Sequence, residues 1–370
     1  MRIVQLLAGY DSAGLSGSVI PLVRALRQRG HDVEELFINL KSRRVEDLKR
    51  SVESFAQAVD ACRGADVIHV HTPLVHLTMG TLLRRDPETA LVGSRHATSI
   101  PNSEEWLKAL ANTDIVVPVA AYLAQEFYEI GVPAGKLMPV HNGLELNLYR
   151  GDREDAKAEL GISAEQLVVG FTGRLSWVKN LQNTIGAVAT AIKSSYRDAR
   201  FIIFGAGVEG KRLDAMIQQL GYEDVVTLAG YLPREKLIKL LPAIDIAVHY
   251  SWTEACSVSL LEHLAVGAAV VASDVPGNRE VVGEAGVLVP ADAPPALSTA
   301  VQLLLDDVSH RVTMQSRAVS RSEMFDINLI AGEMETVYAT AVDRRRAAAA
   351  VSGAGTSQPS RPARRGTPSP

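Results

Sequence analysis

The chain has 370 residues, 47% hydrophobic and 22% charged, the balance of a globular protein long enough for two domains of about 150–180 residues. Its net charge of −4 hides an asymmetry: residues 344–370 hold six Arg and no acid, which leaves about −10 on the remainder and excludes a nucleic-acid-binding surface there. The two cysteines, Cys62 and Cys256, offer neither a disulfide framework nor zinc spacing and fit a reducing cytoplasm, and no apolar run is long enough for a signal peptide or a membrane span.

Ile3 to Leu7 reads as a first strand, followed by a loop carrying Gly9 and Gly14 and a helix from Gly17 to Arg29 that Gly30 stops. Val33 to Phe37 is a second strand. Val45, Leu48, Val52, Phe55, Val59 and Cys62 form the apolar stripe of the helix expected next. Val67 to Val70 is a third strand ending at His71-Thr72-Pro73, and Ala90 to Ser94 a fourth ending at Arg95-His96-Ala97-Thr98. Ile115 to Val117 and Leu137 to Val140 complete the series. Strands separated by helical stretches predict a parallel, doubly wound sheet that binds ligands outside the carboxyl ends of its strands. His141-Asn142-Gly143-Leu144-Glu145 is a turn signal, and the polar stretch Glu145 to Gly161 is the expected linker.

The second half starts the pattern again. Val168 to Thr172 is a strand, Asn180 to Lys193 a helix, and Phe201 to Phe204 a strand. Gly205-Ala206-Gly207-Val208-Glu209-Gly210 matches the G-x-G-x-x-G dinucleotide pattern in letters. The next strand, Val225 to Leu228, ends in Ala229-Gly230 without the required carboxylate, which argues against a dehydrogenase. Ile244 to Val248 is a buried strand, His249 to Cys256 a polar loop, Ser257 to Val266 a helix and Ala269 to Ala272 a further strand. After Pro290, helices are expected over Ala296–Leu305, His310–Ser320 and Asp326–Arg344, and beyond Ala347 a disordered tail.

Glu254 and Glu262 frame the junction of that polar loop with its helix. In one continuous helix they would stand about 80° apart. A turn at Ala255-Cys256-Ser257 frees Glu254 to stand before the helix N-terminus, whose N–H groups form an anion site between the two carboxylates. Hydroxyls on both sides of a phosphate, as in a nucleotide sugar, suit that arrangement. Ser259-Leu260-Leu261-Glu262 is also a capping-box pattern, so Glu262 as a helix cap stands as the alternative. Arg174 and Lys179, in the turn after Val168–Thr172, are two cations placed where a departing pyrophosphate would gain charge.

The stretch Ser251 to Val282 resembles the E-x7-E signature of retaining GT-B glycosyltransferases of family four. Glu254 and Glu262 match its glutamates, Gly267 follows the helix, and Ser273-Asp274-Val275-Pro276-Gly277 with Glu280 matches its next loop. Ala255-Cys256-Ser257 stands where the family has Gly-Phe-Gly. Arg174 and Lys179 keep the family's spacing, and so do Gly14 and Gly30-His31; the resemblance covers roughly residues 1 to 340.

The resemblance implies an α/β GT-B fold of two Rossmann-like doubly wound parallel-sheet domains facing a cleft. Residues 1–145 would form the acceptor side, 146–325 the nucleotide-sugar domain, 326–346 a helix crossing back to the first domain, and 347–370 the tail. It further implies that Arg174, Lys179, Gly14 and the backbone of Val258 and Ser259 hold the donor diphosphate, and that Glu262 holds the ribose. Glu254, with the backbone of Cys256 and Ser257, would hold the transferred sugar, and His96 would lie beside the anomeric carbon. No metal and no cofactor are expected beyond the nucleotide-sugar co-substrate. The acceptor would be a hydroxyl of a glycan, a lipid-linked saccharide or a small natural product, at a cytoplasmic location. The arginine-bearing tail leaves peripheral contact with the membrane's inner face open. A nucleotide-sugar epimerase of the same fold is the alternative activity, and a non-catalytic nucleotide-sugar sensor a third reading.

Overall fold

A computed structural model of the chain describes residues 1–8, 15–38, 51–52, 55–72, 75–76, 88–98 and 104–354. Among them are two six-stranded sheets in which every pairing is parallel. The first comprises β1 (Arg2–Ala8), β2 (Asp32–Ile38), β3 (Ser51–Val52), β4 (Val67–Val70), β5 (Ala90–Arg95) and β6 (Ile115–Pro118), in the order β3-β2-β1-β4-β5-β6. The second comprises β7 (Leu167–Thr172), β8 (Ala199–Phe204), β9 (Val226–Gly230), β10 (Ile246–His249), β11 (Ala269–Ser273) and β12 (Gly286–Val289), in the order β12-β11-β10-β7-β8-β9. Both sheets therefore have the same winding, and the order reverses between β1 and β4 and between β7 and β10. A crevice for a ligand opens at such a reversal, outside the carboxyl ends of the strands.

The runs that read as buried strands are buried on both faces: every residue of β5, β7, β10 and β11 is inside. Helices cover both faces, as a parallel sheet requires. One of them ties the chain's end to its beginning. The helix Ile327–Ala354 places Ile330, Met334, Val337 and Tyr338 in the same apolar cluster as Ile3, Val23 and Leu26. It continues past Arg346, where a tail was expected, because Ala347 to Ala350 are the best helix formers. Residues 355–370 lie outside the described residues, and no described helix is long and apolar enough to cross a membrane.

Three further expectations are corrected. Val52 belongs to β3, paired with Ile38, and the helix that follows spans only Phe55–Ala61; Val45 and Leu48 lie outside the described residues. A β-branched residue at the edge of a sheet answers to its neighbouring strand before it answers to a helical stripe. Leu137 to Val140 form no strand: Leu137 makes one bridge to Val116, and the amides of Met138 and Val140 donate to the carbonyls of Val116 and Pro118. The expected linker is structured, with a 3-10 turn at Leu146–Tyr149 and a helix at Arg153–Glu159 that the Asp152 side chain caps.

Histidines are buried behind the carboxyl ends of both sheets: His69 and His71 in the first, His249 and His263 in the second. Burial holds His69, His71 and His249 well below the ordinary imidazole range and His263 at about 3. The unfolded chain takes up a proton on each below about pH 6.5, and the folded chain does not. Their contribution is therefore complete above pH 6.5 and falls by about 1.4 kcal/mol per histidine for each unit below it, down to each folded value. Melting temperature should drop steeply between pH 7.5 and pH 5.5. A flat profile over that window would contradict their neutral burial.

Candidate functional site

A cavity of about 510 Å³ lies between the carboxyl ends of the two sheets. Of the residues singled out in the sequence, Arg174, Lys179, Glu254, Cys256, Ser257, Val258, Ser259, Glu262 and His96 all line it. Gly14 lies outside the described residues, as does much of the stretch following β4 and β5.

The turn after β7 carries exposed Arg174 and, in the 3-10 turn Trp177–Lys179, half-buried Lys179. The loop after β10 brings Glu254 to meet them. Lys179 Nζ donates to Glu254 Oε1 at 2.5 Å, and Ser251 Oγ donates to the same oxygen at 2.7 Å. The helix Val258–Ala265 then starts with Ser257 as its extended N-cap residue and no side-chain cap bond, so its first N–H groups are left to the cavity. The Ser257 and Ser259 hydroxyls are hydrogen-bonded to each other at 3.1 Å.

Glu262 is not a helix cap. Its carboxylate, 4% exposed, pairs with Arg234 Nη1 at 2.8 Å, and the Tyr149 hydroxyl donates to the same Oε1 at 3.0 Å. Arg234 Nη2 also donates to the Tyr149 hydroxyl at 2.7 Å. The three side chains close a triangle that fixes the carboxylate at the cavity wall. Behind it His263 Nδ1 lies 2.6 Å from His249 Nε2, and its Nε2 lies 3.4 Å from the Thr172 hydroxyl, tying the helix to the ends of β10 and β7.

The first half grips the same loop by its backbone. The Tyr122 hydroxyl donates to the Glu254 carbonyl at 2.7 Å, and Asn142 Nδ2 donates to the Cys256 carbonyl at 2.8 Å. Glu280 completes the contact between the halves: it accepts from the amides of Ala121 and Tyr122, at the start of the helix Ala121–Glu129, and stands 2.7 Å from His141 Nε2. The Cys256 thiol is pushed up to about 12 by burial, so it is no nucleophile, and only its backbone serves the site. His96 is lowered to about 4 by burial, with Asn142 beside it pulling the other way, and is a neutral imidazole at pH 7.

Sequence reasoning missed Arg234, Tyr149, Tyr122 and Asn142. For Arg234 a signal existed: a cation in the first turn of a helix opposes the helix dipole and needs a carboxylate nearby. Tyr149 and Tyr122 carry no local signal, since their partners come from the other half of the chain.

The family model described as glycosyl transferases group 1 matches residues 152–321, and the one described as glycosyltransferase family 4 matches residues 13–148. The chain is 25% identical over 364 residues to the N-acetyl-alpha-D-glucosaminyl L-malate synthase of Bacillus anthracis, covering 89% of this chain and 94% of that one. It is 29% identical over 305 residues to the D-inositol 3-phosphate glycosyltransferase of Corynebacterium aurimucosum, covering 75% and 72%. Among solved structures it is similar in fold to Anabaena HepE in complex with UDP and glucose, with a TM-score of 0.78, 22% identity, and coverage of 92% of this chain and 100% of that one. Sucrose-phosphate synthase from Thermosynechococcus elongatus gives the same TM-score at 20% identity, covering 95% and 100%.

The loop that carries Glu254 is moulded on Gly277, at the start of the helix Pro276–Val282: a Cβ there would overlap the carbonyl oxygens of both Glu254 and Ala255. Gly277→Ala should therefore displace the loop, lowering stability by about 1–3 kcal/mol. Differential scanning calorimetry checks this. An unchanged melting temperature would show that the loop tolerates the displacement.

Proposed function

The chain belongs to the family four, group 1 glycosyltransferases, and on that premise we propose that it is a retaining enzyme moving a sugar from a nucleoside-diphosphate sugar to a hydroxyl acceptor. The observation that carries the reading is the convergence of three cations, Arg174, Lys179 and Arg234, two carboxylates and an uncapped helix N-terminus on one cavity. Cations and free N–H groups suit a diphosphate, and the carboxylates suit the hydroxyl-bearing ends on either side of it.

In this reading Arg174, Lys179 and the amides of Val258 and Ser259 hold the diphosphate. Glu262, oriented by Arg234 and Tyr149, accepts hydrogen bonds from the ribose hydroxyls. Glu254 and the backbone of Cys256 and Ser257 hold the transferred sugar, with His96 on the facing wall. The bond from the anomeric carbon to the phosphate oxygen breaks as the acceptor oxygen bonds to the same face of that carbon. The acceptor's proton passes to the departing phosphate oxygen, and the nucleoside diphosphate leaves. The two side-chain cations supply the charge stabilisation that other transferases draw from a divalent ion, so the reaction is metal-independent. The relatives' names, an L-malate synthase and a D-inositol 3-phosphate glycosyltransferase, support a small anionic hydroxyl compound as acceptor. The composition supports a cytoplasmic location.

Arg174→Ala and Lys179→Ala should each lower turnover by two orders of magnitude or more, about 3 kcal/mol of transition-state stabilisation, while wild-type transfer persists in excess chelator. The melting temperature of Arg174→Ala should barely move, and that of Lys179→Ala should fall slightly because Glu254 loses its ion pair. Donor incubated without acceptor should keep its sugar configuration. Near-normal turnover in either variant, a strict magnesium requirement, or epimerised donor would each contradict the proposal.

A further inference from the structure

Both contacts that hold the Glu254 side chain fall on one of its two oxygens. Lys179 Nζ and Ser251 Oγ donate to Oε1, at 2.5 and 2.7 Å, and among the described residues no hydrogen bond reaches Oε2. The side chain is 11% exposed and lines the cavity, so Oε2 is the oxygen it offers there. An ionised carboxylate oxygen only accepts, and what it meets must be a hydroxyl or an N–H.

The two anchors differ in how firmly they are placed. Lys179 is a point charge on a flexible four-carbon stem, half-buried at the cavity wall. Ser251 is fully buried just past the end of β10. Its carbonyl accepts from Ser273 Oγ at 2.6 Å, and Ser273 Oγ accepts in turn from Asn278 Nδ2 at 3.0 Å. Those two partners are buried as well, in β11 and in the helix Pro276–Val282. The backbone of Ser251 is therefore fixed from behind, and its hydroxyl is directed at Oε1.

A diphosphate carries more negative charge than a carboxylate, so Lys179 is the contact that yields when such a ligand enters. With Lys179 as the sole hold, the carboxylate would lose its direction at the moment the sugar arrives. Tyr122 would still hold the Glu254 carbonyl, but a grip on the backbone leaves the side-chain torsions free.

We propose that Ser251 is the positioning residue of the sugar subsite. It keeps Glu254 Oε1 in place when a diphosphate draws Lys179 away, so that Oε2 stays turned to a hydroxyl of the transferred sugar. The inference rests on the transfer reading for the group that Oε2 meets, but not for the anchoring itself.

Crystal structures of Lys179→Ala and of Lys179→Ala/Ser251→Ala, both without ligand, test the anchoring alone. Glu254 should stay on the Ser251 hydroxyl in the first and leave that position in the second. Calorimetry tests the consequence, with whichever of UDP, GDP and ADP binds wild type most tightly and with the matching nucleotide glucose. Ser251→Ala should bind the nucleoside diphosphate within about twofold of wild type and the nucleotide sugar about five- to tenfold more weakly. In a Glu254→Ala background the same serine change should alter neither affinity by more than about twofold, a dependence that a merely structural role would not produce. A carboxylate displaced in Lys179→Ala, or one unmoved in the double variant, would overturn the proposal. So would unchanged affinity for the nucleotide sugar in Ser251→Ala, equal weakening of both ligands, or an undiminished loss in the Glu254→Ala background. The expected crystal structures in a protein that transfers no sugar would support the anchor and contradict the transfer reading instead.

Discussion

The ion pair between Lys179 and Glu254 is the contact on which the rest of the site depends. It joins the turn after β7 to the loop after β10, the two strand ends that flank the reversal of the second sheet. A short loop there would otherwise carry a carboxylate and several backbone groups with no fixed direction. Lys179 and Ser251 hold the side chain, while Tyr122 and Asn142 hold the backbone from the opposite half. The loop is thus fixed from both halves, and the helix start that follows it is aimed at the cleft. In the proposed transfer Lys179 balances the diphosphate charge, so a bound donor would share this cation with Glu254. That competition would couple the sugar end of the site to its phosphate end.

Much of the second half was legible because its strands are apolar runs, several of them buried on both faces, and the strand limits moved by a residue or two at most: the strand expected over Val168–Thr172 spans Leu167–Thr172. Elements set by local sequence were readable, whereas those set by a distant partner were not. Val52 reads as helical on its own stripe and becomes a strand only because Ile38 lies beside it. Glu262 reads equally well as a cap or as a ligand group, and only Arg234 and Tyr149, brought in by other elements, settle where its carboxylate points. His69 and His71, the hydrogen-bonded histidines behind His96, were invisible for the same reason, since alternation says only that those side chains face inward.

The G-x-G-x-x-G stretch shows what such a pattern means when its carboxylate is missing. Gly205 adopts φ +144°, and a Cβ on it would overlap the carbonyl oxygen of Gly173; one on Gly207 would overlap the backbone of Leu175. These glycines let the loop after β8 lie against the turn that carries Arg174. They are required by the close approach of two backbones at the cavity wall, and the letters alone do not distinguish that from a dinucleotide cradle.

The central claim is that the two glutamates serve different parts of one nucleotide-sugar donor. Calorimetric titration of nucleoside diphosphate and of intact donor into Glu254→Gln and Glu262→Gln tests it most directly. Loss of charge at Glu262 should weaken both ligands by about 1–3 kcal/mol, since both contain the ribose. Loss of charge at Glu254 should leave the nucleoside diphosphate as tightly bound as in wild type, with Lys179 released to it, and weaken only the donor. Equal weakening of both ligands by Glu254→Gln, or unchanged affinities in Glu262→Gln, would contradict this division of the site.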